Sequence, residues 1–168
     1  PETPAAFDVK LRIPGWCESA KVQVNGEAFD VAAAERGYLT IRRQWQKGDV
    51  VVLDLPMPAV RLHAHPGLIM NAGRVALKRG PLVYCIEEAD NPGGRVQRLK
   101  LPRRAELLTE TRADLFDGIV TLQAEALAVD ESDWNRLYRT APPRESASTL
   151  TAIPYFLWAN RAQGSMVV

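Results

Sequence analysis

Residues 7–13 read F-D-V-K-L-R-I, and I-P-G-W-C at 13–17 follows on from them. Phe7, Val9, Leu11 and Ile13 alternate with Asp8, Lys10 and Arg12. Successive side chains of an extended backbone point to opposite faces, so a period of two makes one apolar face and one wet face. That is a half-buried strand, and Pro14-Gly15 stops it. The same signature recurs downstream. K-V-Q-V-N-G-E puts Val22 and Val24 on one face and ends in Asn25-Gly26, the pair favoured in a type I′ hairpin turn. Y-L-T-I-R-R-Q-W puts Leu39 and Ile41 together. Q-K-G-D then turns the chain into V-V-V-L-D-L, which Pro56 and Pro58 close. Strands this short and this closely punctuated predict an all-β, antiparallel sandwich.

Beyond Pro58 the pattern continues. A-V-R-L-H-A-H-P is followed by R-V-A-L-K-R-G-P-L-V-Y-C-I-E, where Gly80-Pro81 predicts a bulge or an edge, since proline has no N–H for a ladder. D-N-P-G-G at 90–94 reads as a linker. It divides the chain into two small sandwich modules, 1–90 (shortened at its N-terminus) and 91–168. A-E-L-L-T-E-T-R has the composition of a helix but is short and lacks a clear cap, so strand is preferred. D-G-I-V-T-L-Q-A-E-A-L places Val120, Leu122, Ala124 and Ala126 on one face. Residues 129–148 are polar with a Pro-Pro pair and predict a long loop. T-L-T-A-I-P-Y-F-L-W reads as the last long strand, and S-M-V-V as a short one after it.

Composition narrows the function classes. A chain of 168 residues is long enough to bury roughly 70% of its unfolded surface. With 21 basic and 20 acidic residues the net charge is +1, and no basic block or base-stacking motif is present, which argues against nucleic acid. No apolar run approaches the roughly 20 residues that span a bilayer as a helix. P-E-T-P-A-A is not patterned as a signal peptide, and Pro1 in place of Met reads as a cut inside a longer chain.

Reactive residues are few. His63 and His65 share a face if the strand runs through both, a spacing that serves metals, but no third ligand stands near, so an exposed pair at a strand end is the plainer reading. Two histidines and no convincing serine partner leave no Ser-His-Asp triad to argue. A glycosidase pair needs two carboxyl groups about 5–10 Å apart across a sugar. Strand acids such as Asp8 and Glu125 fall on wet faces, and Glu87 and Glu88 end a strand where charge is expected. The two cysteines, Cys17 and Cys85, lie beside apolar neighbours and are expected to be buried and unpaired. Trp134, Tyr138, Tyr155 and Trp158 are the candidate carbohydrate contacts, because aromatic faces stack on sugar rings. The alternative is that they fill a core or an interface.

Four blocks occur in order: L-R-I-P-G-W-C-E-S-A-K-V-Q-V-N-G-E, G-Y-L-T-I-R-R-Q-W-Q-K-G-D-V-V-V-L-D-L-P-M, G-R-V-A-L-K-R-G-P-L-V-Y-C-I-E and L-T-A-I-P-Y-F-L-W-A-N-R. The series resembles the C-terminal part of the β-L-arabinofuranosidase family of bacterial glycoside hydrolases (family 127-like), across residues 7 to 168. The segment 95–148 matches only loosely. The resemblance implies a parent enzyme with an (α/α)6 barrel followed by two β-sandwich domains. It further implies a zinc-bound cysteine nucleophile and a glutamate acid/base on that barrel, upstream of the matched region. No position in this chain corresponds to those groups, so zinc and catalysis are expected in the barrel and not here. The implied role is a non-catalytic support for the barrel, its partner within the parent chain. A carbohydrate-binding module and an oligomerisation module are the alternatives. A sheet begun part-way would expose an edge strand, and edges recruit other chains, so self-association is expected.

Cys17 is tempting in such a family, but a zinc thiolate site needs several ligands, and I-P-G-W-C offers one. We expect Cys17→Ser to leave the parent's turnover nearly intact. A loss of orders of magnitude with the fold preserved would show the cysteine to be chemical.

Overall fold

The structure, a computed structural model, describes residues 1–93 and 95–168. Its strands are antiparallel, and it contains helix only as short 3-10 turns among the described residues. The chain divides into two compact units, Pro1–Pro58 and Ala59–Val168.

In the first unit, β1 (Ala5–Arg12) pairs with β4 (Tyr38–Trp45), and β2 (Lys21–Val24) pairs with both β3 (Glu27–Phe29) and β5 (Val51–Asp54). Register follows the apolar period: Val9 faces Ile41 and Leu11 faces Leu39 across the β1–β4 ladder. A slip by one residue would turn every one of these side chains to water. Val22, Val24, Leu39, Ile41 and Trp45 are buried together, with Val9, Leu11, Ile13, Val51 and Leu53 packed on them. Fully burying a side chain of this kind stabilises by about 1.5–3 kcal/mol. The β2–β3 turn is the expected one, with Asn25 at φ 52 and Gly26 at φ 84. Asn25 also ties this turn to the β4–β5 turn: it donates to Asp49 at 2.8 Å and accepts from the Val50 N–H at 2.9 Å. The Gln46 N–H and then the Asn25 amide hold the Asp49 carboxyl below its ordinary range.

The second unit contains β6 (Ala59–His63), β7 (Val75–Arg79), β8 (Leu82–Glu87), β9 (Leu99–Lys100), β10 (Leu108–Arg112), β11 (Ile119–Asp130), β12 (Arg144–Pro154) and β13 (Met166–Val167). Their order is β10-β11-β12-β8-β7-β6, with β9 on β11 and β13 on β8. β12 joins the two halves: residues 144–152 pair with β11, while Ile153 and Pro154 pair with Cys85 and Tyr84 of β8. Leu77, Tyr84, Leu122, Ala126, Leu150 and Ala152 form the core between the halves. Tyr84 brings a hydroxyl into that core and donates it to the Val120 carbonyl at 3.0 Å, which removes the cost of an unpaired buried polar group.

The boundary differs from the one read at 90/91. β7 and β8 precede residue 90, yet β8 pairs with β12 and β13, so a division at 90/91 would cut through one sheet. Gly94 of that segment lies outside the described residues. Asn91 shows why the reading failed. Its carboxamide accepts the Thr151 N–H at 2.8 Å and donates to the Thr151 and Glu87 carbonyls, acting as one more rung beside β12. Gly80-Pro81 is neither bulge nor edge. It is a two-residue hairpin loop between Arg79 and Leu82, with glycine at φ 56 in the first position, as a type II′ turn requires. The polar loop is shorter than expected, since β11 runs to Asp130 and β12 starts at Arg144.

Candidate functional site

The last long strand ends at Pro154, before the aromatics assigned to it. Tyr155–Leu157 form a 3-10 turn, closed by the Trp158 N–H donating to the Tyr155 carbonyl at 3.0 Å. Ala159 then takes φ 62. A residue with a Cβ pays about 1–2 kcal/mol in that left-handed region, so its surroundings must hold it there. Glu87 does so: its Oε1 accepts the Ala159 N–H at 3.0 Å. Two residues on, the Arg161 guanidinium donates to Asp90 Oδ1 at 2.6 Å and also bonds Asp90 Oδ2 and Glu87 Oε2. The ring of Phe116 lies against the guanidinium carbon, 5.4 Å from its centroid.

This cluster is partly buried: the side chains of Glu87 and Asp90 are each 9% exposed and that of Arg161 21%. Hydrogen bonds from Arg161 to Asp90, and then to Glu87, raise the guanidinium above its ordinary value against the opposing effect of burial. Cys85 lies close by, fully buried and unpaired. Burial, with the charges of Glu87 and Asp90, pushes its thiol up to about 11, so it is protonated and unreactive at neutral pH. Glu87 was expected at a solvated strand end, and the structure corrects this. A single guanidinium binds both carboxylates. The cluster ties the C-terminal turn to the end of β8.

The four candidate aromatics fall in two places. Tyr155 and Trp158 meet in the turn after β12, their rings 6.0 Å apart and 13° from parallel, each residue 43% exposed. Trp134 and Tyr138 lie in the 131–143 loop. The Arg139 guanidinium sits over the Trp134 ring at 4.3 Å, and Tyr138 is 89% exposed. His63 is the last residue of β6, while His65 lies beyond it and accepts the Gly67 N–H at 3.0 Å through Nδ1, so the two do not share a strand face. Among the described residues no group of three or more His, Cys, Asp or Glu is placed to hold a metal. The zinc implied by the family therefore does not fit these residues. Cys17 is buried and unpaired, its Sγ 3.8 Å from the Pro56 carbonyl at the end of the first unit.

Comparison with known proteins bears on this arrangement. A family model described as "Beta-L-arabinofuranosidase, GH127 middle domain" matches residues 1–57, and one described as "Glycoside hydrolase family 127 C-terminal domain" matches 59–168. The meeting point is the unit boundary seen in the fold. A non-reducing end β-L-arabinofuranosidase of Bifidobacterium longum subsp. longum is 36% identical over 94% of this chain and 25% of its own length. The crystal structure of a family 127 β-L-arabinofuranosidase from Geobacillus stearothermophilus T6 superposes with a TM-score of 0.91 at 49% identity, over 100% of this chain and 27% of that one. A further family 127 β-arabinofuranosidase structure gives 0.84 at 32% identity, over 99% and 28%. The chain thus spans about a quarter of the length of the relatives it matches.

Proposed function

The chain belongs to glycoside hydrolase family 127, covering its middle and C-terminal domains, and from that premise we propose that it is the non-catalytic supporting portion of a β-L-arabinofuranosidase-like enzyme, with the catalytic domain as its partner. One observation carries the reading. The two domain models account for 1–57 and 59–168, while about three quarters of each relative's length lies outside the match. The chemistry of the chain agrees with this. Glu87 and Asp90 are both bound by Arg161, the Cys85 thiol is held protonated, and among the described residues no metal-ligand group includes Cys17. What the two units offer is rigidity, in ladders and cores that fix a surface. A catalytic constellation needs such backing, because errors of about 0.5 Å in its geometry are costly.

The test is a hydrolysis assay of the isolated chain on an aryl β-L-arabinofuranoside, with and without added zinc. The expected result is no turnover above buffer. Hydrolysis that co-purifies with the chain and disappears when it is unfolded would sink the proposal.

A further inference from the structure

We propose that the turn 155–161 is a carbohydrate subsite in which Tyr155 and Trp158 together form a stepped platform for a sugar ring. This goes beyond the supporting role, and either reading can fail without the other. Two nearly parallel rings in van der Waals contact have planes roughly 3.5 Å apart. The centroids of this pair stand 6.0 Å apart, within the range of offset-stacked rings, so the two rings are displaced from a face-to-face sandwich. The result is two near-parallel aromatic faces with a step between them, with close to half of each residue open to solvent. The apolar C–H face of a sugar stacks on such a surface.

Three further observations mark the turn as built. Ala159 holds a left-handed backbone that alanine does not favour, and such strain persists only where the surroundings impose it. Glu87 and Asp90 supply the restraint, from the end of β8 and just beyond it, through the Ala159 N–H and the Arg161 guanidinium. The geometry of the platform is thus fixed before any ligand arrives, which lowers the ordering cost of binding. At the rim, the Asn160 amide group is committed to the Leu157 and Trp158 carbonyls, and its oxygen remains as an acceptor for a sugar hydroxyl. The other candidate aromatics lack this form: a face of Trp134 is taken by Arg139, and Tyr138 stands on the 131–143 loop.

The family match makes an arabinose-containing glycan the class to test. The isolated chain is titrated with L-arabinose and arabino-oligosaccharides, with cello-oligosaccharides as controls, and followed by tryptophan fluorescence and NMR. Saturable shifts centred on Tyr155, Trp158 and Asn160 are expected, in the millimolar range. Trp158→Ala and Tyr155→Ala should each raise the dissociation constant about tenfold or more, while Trp158→Phe, which keeps a face, should raise it less. Both alanine variants replace half-exposed side chains, and their melting curves should remain those of the parent chain. Three results would overturn the proposal: no saturable shift at tens of millimolar sugar, shifts that persist unchanged in both alanine variants, or shifts centred elsewhere. Concentration-dependent self-association abolished by Trp158→Ala, without sugar binding, would likewise overturn it and make the turn a protein interface.

Discussion

Replacing Arg161 by alanine is expected to destabilise the second unit by about 3–5 kcal/mol, the range for removing one partner of a buried ion pair. The reason is what the substitution leaves behind. Glu87 and Asp90 are nearly buried and share this one cation, so its loss leaves two carboxylates close together with little water to screen them. The Ala159 turn also loses its anchor two residues away. Two comparisons separate charge from packing. Arg161→Lys keeps a positive charge but not the planar fork that bridges both acids, and should fall between parent and alanine. The triple variant Glu87→Gln, Asp90→Asn, Arg161→Met removes cation and acids together and should recover most of the loss. Urea unfolding read on second-unit probes checks both. A loss below about 1 kcal/mol, as for exposed pairs, would show that the cluster is effectively a surface salt bridge.

Replacing Trp45 by alanine is expected to unfold the first unit or bring it to the edge of unfolding. Trp45 is 4% exposed, lies in the core formed by Val22, Val24, Leu39 and Ile41, and donates its indole N–H to the Phe7 carbonyl at 3.0 Å. Its ring also stacks on Phe7 at 5.9 Å and carries the Arg43 guanidinium at 5.1 Å. Truncating a buried tryptophan to alanine costs about 3–5 kcal/mol. The stability typical of a unit the size of Pro1–Pro58 is roughly 3–9 kcal/mol, so the loss removes a large share or all of it. The methyl signals of Val22 and Ile41 should collapse toward unfolded positions, while those of Leu122 and Ile153 hold. Trp45→Phe keeps most of the burial and should cost far less. Native first-unit signals in Trp45→Ala with an unchanged unfolding midpoint would refute the assignment of this core.

Both predictions rest on features of differing legibility. Trp45 closes an alternating run, so its inward position follows from the period of two, as do those of Leu39 and Ile41. The Asn25-Gly26 turn was legible for the same kind of reason, since a left-handed pair at a two-residue loop is a local requirement. Glu87 was not legible. A glutamate at a strand end reads as solvated, and nothing near it in the chain indicates otherwise. Its partner is Arg161, 74 residues on. The N-R pair after Trp158-Ala159 was the one available trace, and by itself it resembles any polar turn. The aromatics show the same limit. Tyr155 and Trp158 looked like strand residues because the apolar run continues past Pro154, and only the 3-10 turn brings their rings together.

The sequence by itself determined the all-β class, most of the strands, two of the turns and, through four ordered blocks, the family. These depend on side-chain alternation and turn chemistry, which act over a few residues. The tertiary structure decided where the chain divides, because a boundary depends on which strands pair, and β8 finds β12 across more than fifty residues of intervening chain. It also decided which acids are buried and which rings meet. Those outcomes follow from the register of distant ladders, and a register is set only when two separate apolar faces close on a common core.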